Sequence, residues 1–237
     1  MELEYLWNGG PRLMQRPGVF PMGTDSILLS AFCQLAPRDR VLDLGTGTGI
    51  LPLLLAFDRP GLTVTAVELS PEACTLAEEN MALNGLSGRV TILPGDLRQH
   101  RGLIPTGRFD LTVSNPPYFP VGSGHAAENG LEHARGDGTC TLNDLCQAAA
   151  WATRWGGRFC LVFRPDRLCD LFLALRENGF EAKRLRPVHH SLGSPVNLVL
   201  VEARRGGNPG LIWENDLYLY NADGTETHEL QEIYRRG

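Results

Sequence analysis

Lysine is almost missing from this 237-residue chain: of 22 basic residues only Lys183 is a lysine, and the rest are arginine. A guanidinium is a planar fork suited to phosphates and to stacking on bases, so any cationic contact to a nucleic acid would be largely an arginine contact. Positive charge is scarce as well. Against 27 acidic residues the net charge is −5, which excludes a molecule coated in positive charge for non-specific polyanion binding but leaves room for a local patch. The six cysteines, at 33, 74, 140, 146, 160 and 169, contain no CxxC pair, and four sit inside apolar helix or strand patterns. Reduced, buried thiols are therefore expected, with no metal and no disulfide framework. No uninterrupted apolar run approaches membrane-spanning length, and MELEYLWNGG lacks the basic and apolar regions of a leader; a cytoplasmic protein with no membrane partner is expected. Hydrolase chemistry is not indicated either, since there is no GxSxG elbow and His189-His190 lack a nucleophile or metal-ligand partner at suitable spacing.

What is present is an ordinary folded composition, 43% apolar and 21% charged, without repeats or low-complexity tracts. Strand-like runs recur: RVLDL at 40–44, TVTAV at 63–67, RVTIL at 89–93, FDLTVS at 109–114 and RFCLVF at 158–163. Between them lie helical patterns such as PEACTLAEENMALNG, which opens on a proline and closes on Asn84-Gly85. Alternation of this kind predicts a parallel sheet with helices on both faces. After the helix RPDRLCDLFLALRENG, the runs EAKRLRPVH and NLVLVEARR can add an antiparallel pair. LEYLWNGGPRLMQ reads as a small hairpin, GGNPG at 206–210 as a break, and LYLYNADGTET as short strands turned at Asp223-Gly224. The expected units are an extension over 1–22, the main domain over 23–204 and a tail over 205–237 packing on it. The stretch after Asn115, with GSG, ENG and GDG, has no periodicity, and loops of that length are usually functional or disordered.

The first strand runs into LDLGTGTGI, with Gly45, Gly47 and Gly49 opening an apolar helix. Such a turn lets a nucleotide-like ligand approach the backbone near a helix start. A dinucleotide fingerprint would place its third glycine where Ile50 stands. S-adenosylmethionine has no pyrophosphate but does have an ammonium, a sulfonium and a ribose diol, so nearby carboxylates make sense. Asp43 lies on the approach to the turn. Glu68 closes the second strand roughly 20 residues on, where an acid can accept both ribose hydroxyls. Asp96, after the third strand, can accept the adenine amino group or simply cap the next turn.

VLDLGTGTGI, AVELS and PGD resemble the cofactor motifs of the Rossmann-like, class I S-adenosylmethionine-dependent methyltransferases. The resemblance implies a seven-stranded, mostly parallel sheet with helices on both faces, and adds Thr46, Leu69 and Leu97 to the cofactor site. NPPY at 115–118 ends the fourth strand, which in that fold lies beside the first and so faces the methyl group. An exocyclic amine conjugated to a ring or carbonyl is a poor nucleophile. Two acceptors in a stiff turn, the Asn115 side-chain carbonyl and the Pro116 backbone carbonyl, would hold both its hydrogens and aim its lone pair. Pro117 removes a competing donor, and Tyr118 offers a flat face for a planar substrate. Phe119 has no assigned part. The motif alone leaves adenine N6, guanine N2 of RNA and a glutamine amide of release factors open. A non-enzymatic RNA-binding scaffold is the reading from another class.

FPMGTDSILLSAF, HARGDGTCTLNDL, GGRFCLVFRPDRLCDL, KRLRPVHH and LYLYNADGTETHELQEIY together resemble the bacterial methyltransferases acting on adenine N6 at position 37 of valine tRNA. That resemblance implies tRNA, through its anticodon loop, as the partner. It also places Gly23, Thr24 and Asp25 at the methionine end of the cofactor, although Asp25 may be read as a helix cap. His133, Arg135, Arg164, Arg167, Lys183, Arg184 and Arg186 are implied on the RNA backbone. Extruding an unpaired base costs a few kcal/mol at most, and stacking on one aromatic ring returns roughly 1 to 3 kcal/mol, which suits a loop better than a duplex. The oligomeric state stays open between monomer and homodimer.

Overall fold

The computed structural model describes residues 2–16, 23–116 and 140–235. Strands β1 (Glu2–Tyr5) and β2 (Arg12–Gln15) pair antiparallel as an N-terminal hairpin. Then come α1 (Thr24–Phe32), β3 (Arg40–Leu44), α2 (Ile50–Ala56), β4 (Thr63–Glu68), α3 (Pro71–Leu83) and β5 (Val90–Pro94). A 3-10 turn at Leu97–Gln99 leads into the short α4 (His100–Leu103) and β6 (Phe109–Ser114). The second half holds α5 (Leu142–Ala152), β7 (Thr153–Phe163), α6 (Leu168–Glu177), β8 (Phe180–Ser191), β9 (Val196–Arg205), β10 (Ile212–Trp213), β11 (Leu217–Tyr220) and α7 (His228–Ile233).

Local chemistry sets these boundaries. At the start of α3 the Ser70 hydroxyl accepts from the Ala73 amide at 3.3 Å with Pro71 at the first helical position, and Gly85, at φ 68°, turns the chain away at its end. At the start of α5, Thr141 and Asp144 form a reciprocal capping box that satisfies two otherwise orphaned amides.

The large sheet runs β5-β4-β3-β6-β7-β9-β8. Strands β5, β4, β3, β6 and β7 are mutually parallel, while β9 lies antiparallel to both β7 and β8. These are the seven expected strands. The sheet is wider than expected, however: β10 and β11 lie one after the other along the free edge of β8, parallel to it, making nine strands. The residues after 205 thus continue the sheet as well as covering it. Strand order reverses at β3, whose neighbours are β4 and β6, and that is where open α/β sheets leave a crevice at the carboxyl ends.

Both faces of β3 are buried. Val41 points into one core with Ile27, Leu29, Leu53 and Leu111, under α1, α2 and α3. Leu42 and Leu44 point into the other with Leu145, Phe159, Leu171 and Leu175, under α5 and α6. Each fully buried leucine contributes about 2 kcal/mol by leaving water, which is why RVLDL needs no polar alternation. Cys33, Cys74, Cys146 and Cys160 are buried free thiols, whereas Cys140 and Cys169 are exposed. Among the described residues no helix is long and apolar enough to cross a membrane.

Candidate active site

The glycine turn departs from β3 at its carboxyl end and is pinned to β4. The amides of Gly45 and Thr46 both donate to the Val67 carbonyl, at 2.9 and 3.0 Å. Gly45, Gly47 and Gly49 have φ of 79°, 56° and 83°, left-handed values that a side chain resists. Gly49 has a second reason to lack a side chain, since a Cβ there would lie 3.1 Å from the Ala77 Cβ and 3.2 Å from the Met81 Cε.

Glu68 clasps this turn. Its Oε2 accepts from the Gly47 amide and its Oε1 from the Ser70 amide, both at 2.9 Å. Each oxygen keeps a further lone pair, so the carboxylate is oriented without being saturated. Leu69, next along, is half exposed.

Asp43 is the outlier in energy. It is fully buried, and neither carboxylate oxygen has a hydrogen-bond partner; the neighbouring Thr46 hydroxyl has none either. Burial pushes the Asp43 carboxyl up to about 7, with the Thr46 hydroxyl pulling it back and the Glu68 charge pushing it further. Thr46 does so from nearby, without reaching hydrogen-bond geometry. A buried, unpartnered carboxylate costs free energy that a cationic ligand would offset, and this is the feature that fits the ammonium of S-adenosylmethionine.

Asp96 is differently disposed. Its Oδ1 accepts from the Arg98 amide at 2.9 Å and so caps the 3-10 turn, and both oxygens take the Arg98 guanidinium, which holds the carboxyl below its usual range. The capping role is therefore realised, and an adenine amine would have to share the carboxylate with Arg98. Leu97 beside it packs on the α5–α6 core.

At the end of β6, the Ser114 hydroxyl donates to the Leu44 carbonyl at 2.8 Å, stitching this strand end to the residue before the glycine turn. Register pairs Asp43 with Val113, two residues before Asn115. Asn115 Nδ2 in turn donates to the Ser26 hydroxyl at 3.1 Å. Pro116 follows as the last described residue of the motif; Pro117, Tyr118, Phe119, His133 and Arg135 lie outside the described residues. At the start of α1, Gly23 is the N-cap without a side-chain cap bond, so the cap is not Asp25, which sits in the first turn. The Thr24 hydroxyl accepts from the Tyr234 phenol at 3.1 Å.

The structure thus gathers Thr24, Asp43, Thr46, Gly47, Glu68 and Asn115 around the carboxyl ends of β3, β4 and β6. The described basic residues expected on RNA each meet a partner within the chain. Arg164 pairs with Asp166, Arg167 with Asp170, and Arg186 with Glu229. Lys183 donates to the Asn208 carbonyl, and Arg184 is held between Glu202 and Glu214 while stacking over Phe32 at 4.3 Å. Lys183, Arg184 and Arg186 belong to β8, separated from β6 by β7 and β9. They fasten the tail to the sheet. Meanwhile Ser26, Asn80 and Tyr234 carry structure at the site without having been singled out, although Ser26 and Tyr234 fall inside segments that carry the family resemblance. Asn80 left a trace, as a polar residue at helical spacing from the buried Ala73, Leu76 and Ala77. It is fully buried, and its Nδ2 donates to the Thr48 carbonyl of the glycine turn at 2.9 Å.

A methyltransferase small domain model matches residues 11–169. A tRNA1(Val) (adenine(37)-N6)-methyltransferase of Dickeya chrysanthemi is 37% identical over 188 residues, 78% of this chain and 73% of that relative. A release factor glutamine methyltransferase of Deinococcus radiodurans is 41% identical over 157 residues, but the chain spans only 54% of its length. Among solved structures, that of a predicted O-methyltransferase, Atu636 from Agrobacterium tumefaciens, superposes with TM-score 0.74 at 21% identity, over 89% of this chain and 95% of that one, a likeness of fold. The glycine turn, the acids that flank it and the Asn-Pro pair at the next strand end all fall inside the matched span, and the chain belongs to the methyltransferase small domain family, alongside the tRNA1(Val) (adenine(37)-N6)-methyltransferases.

Proposed function

We propose that the protein transfers a methyl group from S-adenosylmethionine to the exocyclic N6 of an adenine in tRNA, with position 37 beside the anticodon as its target. The observation that carries this reading is the seating of Asn115. It stands at the sheet's reversal point, two residues beyond the partner of Asp43, on a strand end stitched to the glycine turn by Ser114.

The bound cofactor supplies an electrophilic methyl on a sulfonium. Asp43 would take its ammonium, Glu68 its ribose hydroxyls and the Gly45–Gly49 turn its close approach. Gly23, Thr24 and Asp25 would lie at the methionine end, with Thr46, Leu69, Asp96 and Leu97 completing the surround. The adenine amine has its lone pair delocalised into the ring. Asn115 and Pro116 accept its two hydrogens, favour a more tetrahedral nitrogen and align the lone pair, while Pro117 stiffens the turn and Tyr118 stacks on the base. Orientation of this kind is worth several orders of magnitude in rate.

Labelled cofactor incubated with unmodified total tRNA, followed by nucleoside analysis, tests the reading. Label is expected in N6-methyladenosine, and Asn115→Ala should lower turnover about a hundredfold or more while cofactor binding survives. Label in a guanine nucleoside, or none in RNA, overturns it. The relative from Deinococcus radiodurans favours one second reading, transfer to a glutamine amide, whose nitrogen lone pair is delocalised in the same way. Label entering a release factor and not RNA would select that one.

A further inference from the structure

Rotation about the terminal bond of an asparagine is broad and nearly two-fold, so nothing within Asn115 itself keeps its oxygen facing an incoming amine. The strand fixes only the backbone. Ser114 anchors the end of β6 to Leu44, leaving the amide plane of the next residue to be set by what its side chain touches.

Ser26 supplies such a contact. Its hydroxyl oxygen lies 3.1 Å from Asn115 Nδ2, and at 3% exposure it is shielded from competing water. It stands on a helix that is anchored on both sides of it. Ile27, Leu28 and Leu29 are buried in the core, and Thr24 is held by the Tyr234 phenol.

Resting on the reading of Asn115 as an acceptor for the substrate amine, we infer that Ser26 is a positioning residue of the transfer. Its hydroxyl accepts from the nitrogen branch, which is the flip in which the oxygen branch accepts from the substrate amine. A hydroxyl can donate as well as accept, so this contact constrains the amide plane in either flip. The substrate selects between the two flips, because the reversed amide would set Nδ2 against the amine's own hydrogens, donor against donor. Enzyme and substrate thus agree on the one orientation in which Oδ1 accepts, and the orienting contact is in place before the base arrives.

The test measures kcat and KM for tRNA, cofactor Kd by calorimetry and the thermal midpoint of the full chain, for Ser26→Ala, Ser26→Thr and each of these combined with Asn115→Ala. Ser26→Ala should lower kcat about tenfold, the equivalent of one hydrogen bond, with cofactor Kd within about twofold and the midpoint within about two degrees of the parent. Ser26→Thr, which keeps the hydroxyl, should recover most of the loss. With Asn115 already replaced, Ser26→Ala should cost no further rate, as expected when one residue acts through another. An unchanged kcat in Ser26→Ala, beside a crippled Asn115→Ala, overturns the role of Ser26 and leaves the proposed reaction standing. Near-normal turnover in Asn115→Ala sinks the acceptor reading, and this inference with it. Parallel loss of kcat, cofactor affinity and midpoint without rescue by threonine assigns Ser26 to packing alone and overturns the inference.

Discussion

The phenol of Tyr234 donates a hydrogen bond to the hydroxyl of Thr24 across 3.1 Å, joining the end of α7 to the first turn of α1, 210 residues away in sequence. Thr24 is one of the residues that the resemblance implies at the methionine end of the cofactor, and on that reading the Tyr234 phenol links the tail to the proposed site. Tyr234→Phe should weaken cofactor binding about threefold to tenfold by calorimetry and lower stability by no more than about 1 kcal/mol, the usual worth of one neutral hydrogen bond. An unchanged cofactor Kd would show that the contact serves only the fold.

Asp43 makes stability and cofactor binding respond to pH in opposite ways. Its ordinary value of 3.8 is raised to about 7 in the folded chain, chiefly by burial. The protonated form is the one the fold accommodates, so this residue's contribution is fully present below about pH 4, falls as pH rises and is gone above about pH 7. The whole swing is about 4 kcal/mol. Asp43→Asn should therefore melt higher than the parent at pH 8, with the difference shrinking steadily toward pH 5. The same variant should bind S-adenosylmethionine poorly, having lost the charge proposed to face the ammonium. Melting curves from pH 5 to 9 check the first claim, and a parent that gains on the variant as pH rises would refute it.

Asn80 is a buried amide with three bonds, accepting from the Met14 amide at 2.7 Å and donating to the carbonyls of Thr48 and Met14. Asn80→Leu leaves these backbone groups without their partner in a dry interior, which should cost roughly 2 to 4 kcal/mol. Chemical denaturation measures that loss. Because Thr48 lies in the glycine turn, cofactor affinity should drop with it.

Arg184 bridges Glu202 and Glu214 with only 13% of its side chain exposed. Arg184→Ala strands two acids near the tail and should destabilise the protein by about 3 kcal/mol. Affinity for tRNA, measured on the folded fraction, should hold. Loss of RNA binding without loss of stability would place it on the RNA surface.

The parallel centre of the sheet was legible because each strand is a short apolar run bounded by breakers, and the glycine turn and its acids were legible because backbone conformation and ligand charge demand those residue types. The tail strands were not. Ile212 and Trp213 are both exposed, so β10 has no alternation to read and exists through its pairing with β8. The partners of the basic residues were legible only in part. Asp166 and Asp170 sit two and three residues from Arg164 and Arg167 and were visible as partners, whereas Glu214 meets Arg184 from 30 residues away, by a fold that local sequence does not reveal. Ser26 was hidden because a serine in a first helical turn ordinarily serves its own helix, and this one serves a residue 89 positions on.

The side-chain amides that hold β2 have one more effect. Asn84 accepts from the Arg12 amide at 2.8 Å and donates to its carbonyl at 2.7 Å, and Asn80 does the same for Met14 at 2.7 and 3.2 Å. Two asparagines on a helix thereby imitate a neighbouring strand along the side of β2 that β1 leaves open. A two-stranded ribbon normally offers that side as a template on which another chain can grow. Here that side of the template is already occupied from within the molecule, so another strand cannot add to β2 without displacing two side-chain amides.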